Sequence, residues 1–176
     1  MRALIVYESM FGSTRTIALE IARGLKPALP ADVAAIEGSR GGLGVVPDDV
    51  SLLIVGAPSH LFGLSRSKSR TAAAGRATRP VAIADVGLRE WLDALPPVSR
   101  RHDVLAFETR LKVRGLPGSA SKAAARRMGK LGYRMLWPVQ SFYVADLVGT
   151  LVEGEAQRAY MWGRWLGVGQ KAEASH

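Results

Sequence analysis

Ala3-Leu4-Ile5-Val6-Tyr7-Glu8-Ser9-Met10-Phe11-Gly12-Ser13-Thr14-Arg15-Thr16-Ile17-Ala18 runs from an apolar strand through a short hydroxyl-bearing turn into a helix. A strand that ends in a tight loop, followed at once by a helix N-terminus, gathers unpaired backbone N–H groups and the positive end of the helix dipole at one spot. Ser9, Ser13 and Thr14 add hydroxyls there, and Gly12 lets the backbone come close to a bound group. No acidic residue stands between Ser9 and Ile17 to repel a phosphate. The segment predicts a βα turn that would accept a monophosphate. The same residues also suit a plain turn in which Ser13 or Thr14 does no more than cap the helix.

Further along, strand-like and helical runs alternate. Ala3 to Tyr7, Val33 to Ile36, Leu52 to Gly56, Val104 to Phe107 and Ser141 to Val144 are short and apolar, whereas Ile17, Ile21 and Leu25 recur at helical spacing. Such a βα alternation implies a five-stranded parallel sheet with helices on both faces, and continuously apolar strands fit burial on both sides. Gly38-Ser39-Arg40-Gly41-Gly42-Leu43-Gly44 favours a loop, so any helix before Leu52 is short. Leu64 to Asp85 is long for a βα connection, and a short helix is expected near Thr71 to Ala77. Val86 to Leu95 reads as a helix stopped by Pro96-Pro97, and Lys122 to Leu131 as one capped by Ser119 or Ser121. In the last helix, Glu153 to Leu166, the residues Ala156, Ala159, Tyr160, Gly163 and Leu166 form an inward stripe flanked by Trp162 and Trp165.

Composition narrows the function classes. A chain of 176 residues with 48% hydrophobic and 22% charged residues is expected to form one soluble globular domain spanning 1–176. With no cysteine, disulfides, thiol catalysis and cysteine-ligated metals are excluded. The apolar run at Ala3 to Tyr7 is too short for a signal peptide or a membrane span, so a cytoplasmic protein without a membrane span is expected. A net charge of +9 raises the question of nucleic acid, but the basic clusters around Arg66, Lys68 and Arg70, around Arg110, Lys112 and Arg114, and from Lys122 to Arg134, with Tyr133 alone among them, lack the repeated interleaved aromatics of a single-strand platform. They read as solvated basic faces, with no specific nucleic-acid partner expected. No G-x-S-x-G elbow, metal-ligand spacing among His60, His102 and His176, or three-glycine dinucleotide fingerprint is present.

Ser9-Met10-Phe11-Gly12-Ser13-Thr14 is similar to the Thr/Ser-x-Thr-Gly-Asn-Thr phosphate loop of the flavodoxin family and follows the first strand, as it does there. Ile54-Val55-Gly56-Ala57-Pro58-Ser59-His60-Leu61-Phe62-Gly63 resembles that family's Gly-x-Pro-Thr-x-x-x-Gly loop, which packs on the flavin ring. Ser141-Phe142-Tyr143-Val144, the Leu151-Val152-Glu153-Gly154-Glu155 turn and Arg158 to Gly163 look like the end of flavodoxin-like domains. The resemblance implies an α/β three-layer sandwich with strand order 2-1-3-4-5 and FMN at the switch point between strands 1 and 3. It also implies contacts: Ser9, Phe11, Gly12, Ser13 and Thr14 with the phosphate; Pro58, Ser59, His60, Leu61, Phe62 and Gly63 with one side of the ring; Thr109 and Arg110 with the other.

Several positions depart from the family pattern. Position 13 is Ser where the family favours Asn, and position 11 is Phe where it favours a small hydroxyl. The loop after strand 4, Phe107 to Ser119, has no tyrosine to cover the ring, which leaves one face open or covered by an aliphatic side chain such as Leu111. Where electron-transfer flavodoxins are typically acidic, this chain is basic; cations at Arg110, Lys112 and Arg114 would raise the reduction potential of the flavin by Coulomb attraction to its reduced form. Three functions fit these features: FMN-based electron transfer with an acidic redox partner protein, an FMN-dependent reductase of a quinone or related oxidant with a pocket shaped by Leu64 to Asp85, and a flavin-free docking module. The first needs no catalytic side chain, because the flavin carries the chemistry.

Overall fold

Strand β1 (Arg2–Tyr7) lies between two parallel neighbours, β2 (Ala31–Ala35) and β3 (Val50–Pro58), and β4 (Asp103–Leu111) continues the sheet beyond β3. The computed structural model describes residues 2–36, 44–59, 63–75, 86–98, 102–113, 117–136 and 138–174. The fifth position is filled in two pieces, β5 (Arg134–Met135) against the start of β4 and β6 (Gln140–Val144) against its end, giving the order β2-β1-β3-β4-β5 with β6 also on β4. The order 2-1-3-4-5 is the expected one; the count of five strands is corrected to six. Met135 pairs with Val104 and Gln140 with Phe107, so the edge chain is two residues longer than the β4 segment it spans. Pro138, which has no N–H to give to a ladder, lies in that gap.

Helices α1 (Ser13–Leu25) and α5 (Glu155–Ala174) cover one face of the sheet; α3 (Leu88–Ala94) and α4 (Ala120–Lys130) cover the other. The alternation of strand side chains divides the core accordingly. Ala3, Ile5, Leu52, Ile54, Leu105 and Phe107 pack with Ile17, Ile21, Leu25 and Ala159, while Leu4, Val6, Leu53, Val55, Val104 and Ala106 pack with Leu88, Trp91, Leu92, Ala124 and Met128. The short helix α2 (Ser67–Ala74) begins four residues earlier than the expected Thr71. Its start is marked by Ser69, whose hydroxyl takes the Arg66 N–H at 2.8 Å. Among the described residues no helix is long and apolar enough to cross a membrane.

α1 and α5 touch at backbone distance. A Cβ at Gly24 would stand 2.2 Å from the Tyr160 carbonyl oxygen, and one at Gly163 2.3 Å from that of Ile21, so both glycines are demanded by the contact. The inward stripe of the last helix is confirmed at Ala159, Gly163 and Leu166. Trp162 meets Phe142 edge-on at 6.1 Å, whereas Trp165 is 52% exposed and lies outside the core. His102 is a packed residue, its Nδ1 3.0 Å from the Val50 carbonyl oxygen.

Candidate functional site

At the carboxyl edge of the sheet, where the chain leaves β1 toward β2 on one side and β3 lies on the other, a cavity of about 550 Å3 opens. This switch point is where doubly wound sheets bind ligands, and the volume falls in the range of small-molecule sites. The loop Glu8–Gly12 supplies one end. α1 starts at Ser13, with Gly12 in a left-handed conformation at φ 94° that a residue with a Cβ adopts only under strain. Its cap comes from Ser9, not from Ser13 or Thr14: the Ser9 hydroxyl accepts the N–H groups of Gly12 and Arg15, both at 3.2 Å. The N–H groups of Ser13 and Thr14, in the first turn, have no intrahelical acceptor by position and lie beside the cavity. Gly149 closes the loop from above; a Cβ there would come within 3.0 Å of both Phe11 Cβ and Ser13 Oγ.

Of the expected phosphate contacts, Phe11, Ser13 and Thr14 line the cavity, joined by Met10. Ser9 and Gly12 shape the loop from behind. The Thr14 hydroxyl is committed inward, 2.8 Å from the Thr109 hydroxyl, in a buried pair that ties the loop to β4. Of the expected ring contacts, Pro58, Ser59, Thr109 and Arg110 line the cavity. Gly63 does not line it: it sits beside the start of α4, where an added Cβ would lie 3.6 Å from the Ser119 carbonyl oxygen. His60, Leu61 and Phe62 lie outside the described residues, as does Arg114.

Leu111, expected as an aliphatic cover, is on the wall with Val144 and Leu147. α2, within the Leu64 to Asp85 segment expected to shape a pocket, does form part of the wall, and two further contributions join it. Ser69, Ala72 and Ala73 bring α2 to the cavity as a wall of small side chains, Pro117 and Gly118 approach from the lead into α4, and Asp146 stands near the loop end. The Thr150 side chain, together with the N–H groups of Thr150 and Val148, holds the Asp146 carboxyl below its ordinary range. Its charge is thereby turned to its own turn. Donors at the start of α1 together with apolar side chains of Phe11, Pro58, Leu111 and Leu147 on the wall suit a ligand with an anionic tail and a flat apolar body, and the residues present therefore fit FMN.

Beneath the wall, Glu108 was missed altogether. It is 1% exposed and accepts from the hydroxyls of Ser59 (2.6 Å), Ser119 (2.8 Å) and Ser141 (2.9 Å), the Ser121 N–H (3.1 Å) and Arg110 (3.2 Å). Burial opposes its ionisation, but the Ser59, Ser119, Ser121 and Ser141 hydrogen bonds outweigh that and hold the carboxyl below the usual carboxylate range. Arg110 is thus paired with Glu108 at the cavity. Glu8, at the end of β1, does a parallel job on the same face: fully buried, it accepts the Leu88 N–H at 2.8 Å and so caps α3, whose own N-cap, Gly87, has no side chain. Beside it the buried Arg70 of α2 donates to Ser65 (3.0 Å) and Glu90 (3.1 Å), fastening α2 to α3.

The sequence matches no protein-family model and no curated protein. Solved structures do match in fold. An archaeal flavodoxin superposes with a TM-score of 0.63 at 14% identity, covering 97% of this chain and 99% of its own. Flavodoxin 1 of Bacillus cereus gives 0.62 at 11% identity over 93% of this chain and 95% of its own. A WrbA-like flavodoxin from Agrobacterium tumefaciens gives 0.59 at 16% identity over 97% and 98%. Strand order, helix placement and these superpositions over nearly the whole length agree: the chain has a flavodoxin-like fold.

Proposed function

We propose that this chain binds FMN at the switch-point cavity and serves in electron transfer. The observation that carries this reading is the joining, in one cavity of about 550 Å3, of a helix N-terminus whose first N–H groups have no intrahelical acceptor with the apolar side chains of Phe11, Pro58, Leu111 and Leu147. The backbone of Ser13 and Thr14 and the hydroxyl of Ser13 would hold the phosphate; Phe11, Pro58, Leu111 and Leu147 would enclose the ring and exclude water from it. FMN would supply the uptake and release of one or two electrons. No side chain need act as acid, base or nucleophile. A basic chain with Lys112 exposed beside the cavity favours an acidic redox partner protein, since opposite potentials steer encounter.

The small side chains of Ser69, Ala72 and Ala73 favour a second reading, an FMN-dependent reductase, because they leave room on the α2 side for a small oxidant such as a quinone. Titration of flavin fluorescence with the protein, using FMN and riboflavin in parallel, tests the site. Charge-assisted bonds contribute about 1.5–3 kcal/mol each, so FMN is expected to bind at least about tenfold more tightly than riboflavin. Equal affinities would overturn the phosphate assignment, and no binding of either would overturn the flavin reading in favour of a docking module. If FMN binds, mixing the reduced, loaded protein anaerobically with a one-electron protein acceptor or with a soluble quinone separates carrier from reductase.

A further inference from the structure

A carboxylate sits directly behind the cavity wall where no ligand contact needs one. Glu108 faces α4 from β4, and its donors arrive from four elements: Ser59 at the end of β3, Ser119 and Ser121 at the start of α4, Ser141 on β6 and Arg110 on β4 itself. Two of these donors, Ser59 and Arg110, line the cavity. The Ser59 hydroxyl gives its hydrogen to Glu108 and takes the Ala120 N–H at 2.9 Å, which fixes its orientation completely. With Glu108 1% and Arg110 21% exposed, the pair is screened less by solvent than a surface ion pair. An apolar residue at this position would deprive three hydroxyls, one N–H and the Arg110 guanidinium of this carboxylate, so the charge is the element around which this corner is organised.

We propose that Glu108 is a positioning residue that sets the charge of the cavity: it fixes Arg110 and Ser59 in the wall and cancels the Arg110 charge at the place where a cofactor lies. The proposal rests on the reading of the cavity as an FMN site. Reduction adds negative charge to a flavin. A wall that is neutral through the Glu108–Arg110 pair therefore favours neither redox form, whereas an uncompensated Arg110 favours the reduced one and an uncompensated Glu108 the oxidised one. The +9 of the whole chain would, on this account, act on encounter with partners more than on the potential of the bound cofactor.

The test is the FMN reduction potential, together with the affinities of the oxidised and reduced forms, in the wild type, Glu108→Gln, Arg110→Gln and the double variant. Glu108→Gln is expected to raise the potential, tightening reduced over oxidised FMN on the order of tenfold. Arg110→Gln is expected to lower it comparably, and the double variant to return near the wild type. A purely structural Glu108 would weaken both forms alike and leave their ratio unchanged, which would overturn the proposal. Glu108→Asp, which keeps the charge on a shorter arm, should loosen both forms without moving the potential. If Glu108→Gln does not fold, Arg110→Gln decides by itself, because an unmoved potential there contradicts the compensation. FMN binding without these shifts defeats this inference alone, whereas a wild type that binds no FMN defeats the cofactor reading and this inference with it.

Discussion

Replacing Gly163 with alanine puts one methyl group into the backbone contact between α1 and α5. Its Cβ would stand 2.3 Å from the Ile21 carbonyl oxygen, 3.0 Å from the Ile21 carbonyl carbon and 3.1 Å from its Cα. All three atoms are backbone of α1, so no side chain can swing aside and the two helices must part. Overpacking typically costs about 1–3 kcal/mol, and a collision with rigid backbone belongs at the upper end. The better helix propensity of alanine offsets about 1 kcal/mol of this. The net loss is about 2 kcal/mol, which for a chain of this length lowers Tm by about 4–8 °C. The control lies in the same helix: nothing stands within 4 Å of a Cβ at Gly169, so Gly169→Ala keeps only the propensity gain and should raise Tm slightly. Both are read by circular dichroism on heating. If Gly163→Ala melts at or above the wild type, the backbone contact between α1 and α5 is not as described.

Other perturbations have equally definite outcomes. Thr14→Val leaves the buried Thr109 hydroxyl without its partner, and urea denaturation should show a loss of about 1–2 kcal/mol; an unchanged midpoint contradicts the pairing. Arg70→Met removes a guanidinium that is 1% exposed and holds Ser65 and Glu90, so it should cost about 3 kcal/mol, while Met at the exposed Lys68 should cost almost nothing. Equal midpoints for those two variants would refute the clamp between α2 and α3. The folded-state pKa of Glu108 lies below its ordinary 4.5, so its contribution is present above that value and is lost as pH falls through the folded one. Thermal melts should therefore show wild type and Glu108→Gln separated at neutral pH and converging as the medium is acidified below 4.5. A gap that is constant with pH would mean that Glu108 is not ionised in the folded chain.

What the sequence disclosed follows the range of the interactions involved. β1, the Ser9–Thr14 loop and α1 were legible because their signals are local: an apolar run, a glycine that the structure holds at φ 94°, and apolar residues at helical spacing. Sheet order came with the resemblance. The break in the fifth row is a tertiary matter, since Pro138 stops a ladder only if its N–H position would face one. α2 was placed four residues late because its start depends on Ser69 reaching back to Arg66, a weaker signal than the alanine run that follows. Glu108 and Glu8 were invisible for a different reason. A glutamate inside an apolar strand reads as an edge or an interruption, and only the fold shows that Glu108 meets Ser59, 49 positions earlier, or that Glu8 caps a helix 80 positions later.

The wall contributed by α2 was legible as a segment, Leu64 to Asp85, but not residue by residue. Ser69, Ala72 and Ala73 carry no chemistry that would mark them, and they reach the cavity only because Arg70, between them, is buried the other way against Ser65 and Glu90.

We propose FMN as the occupant of the switch-point cavity. The visible absorption spectrum of the protein, taken after incubation with FMN and passage through a desalting column, tests it most directly. Flavin absorption is expected to stay with the protein at one FMN per chain and to be lost when Gly12 is replaced by valine, which cannot keep the left-handed turn of the loop without strain. A colourless wild-type protein would contradict it.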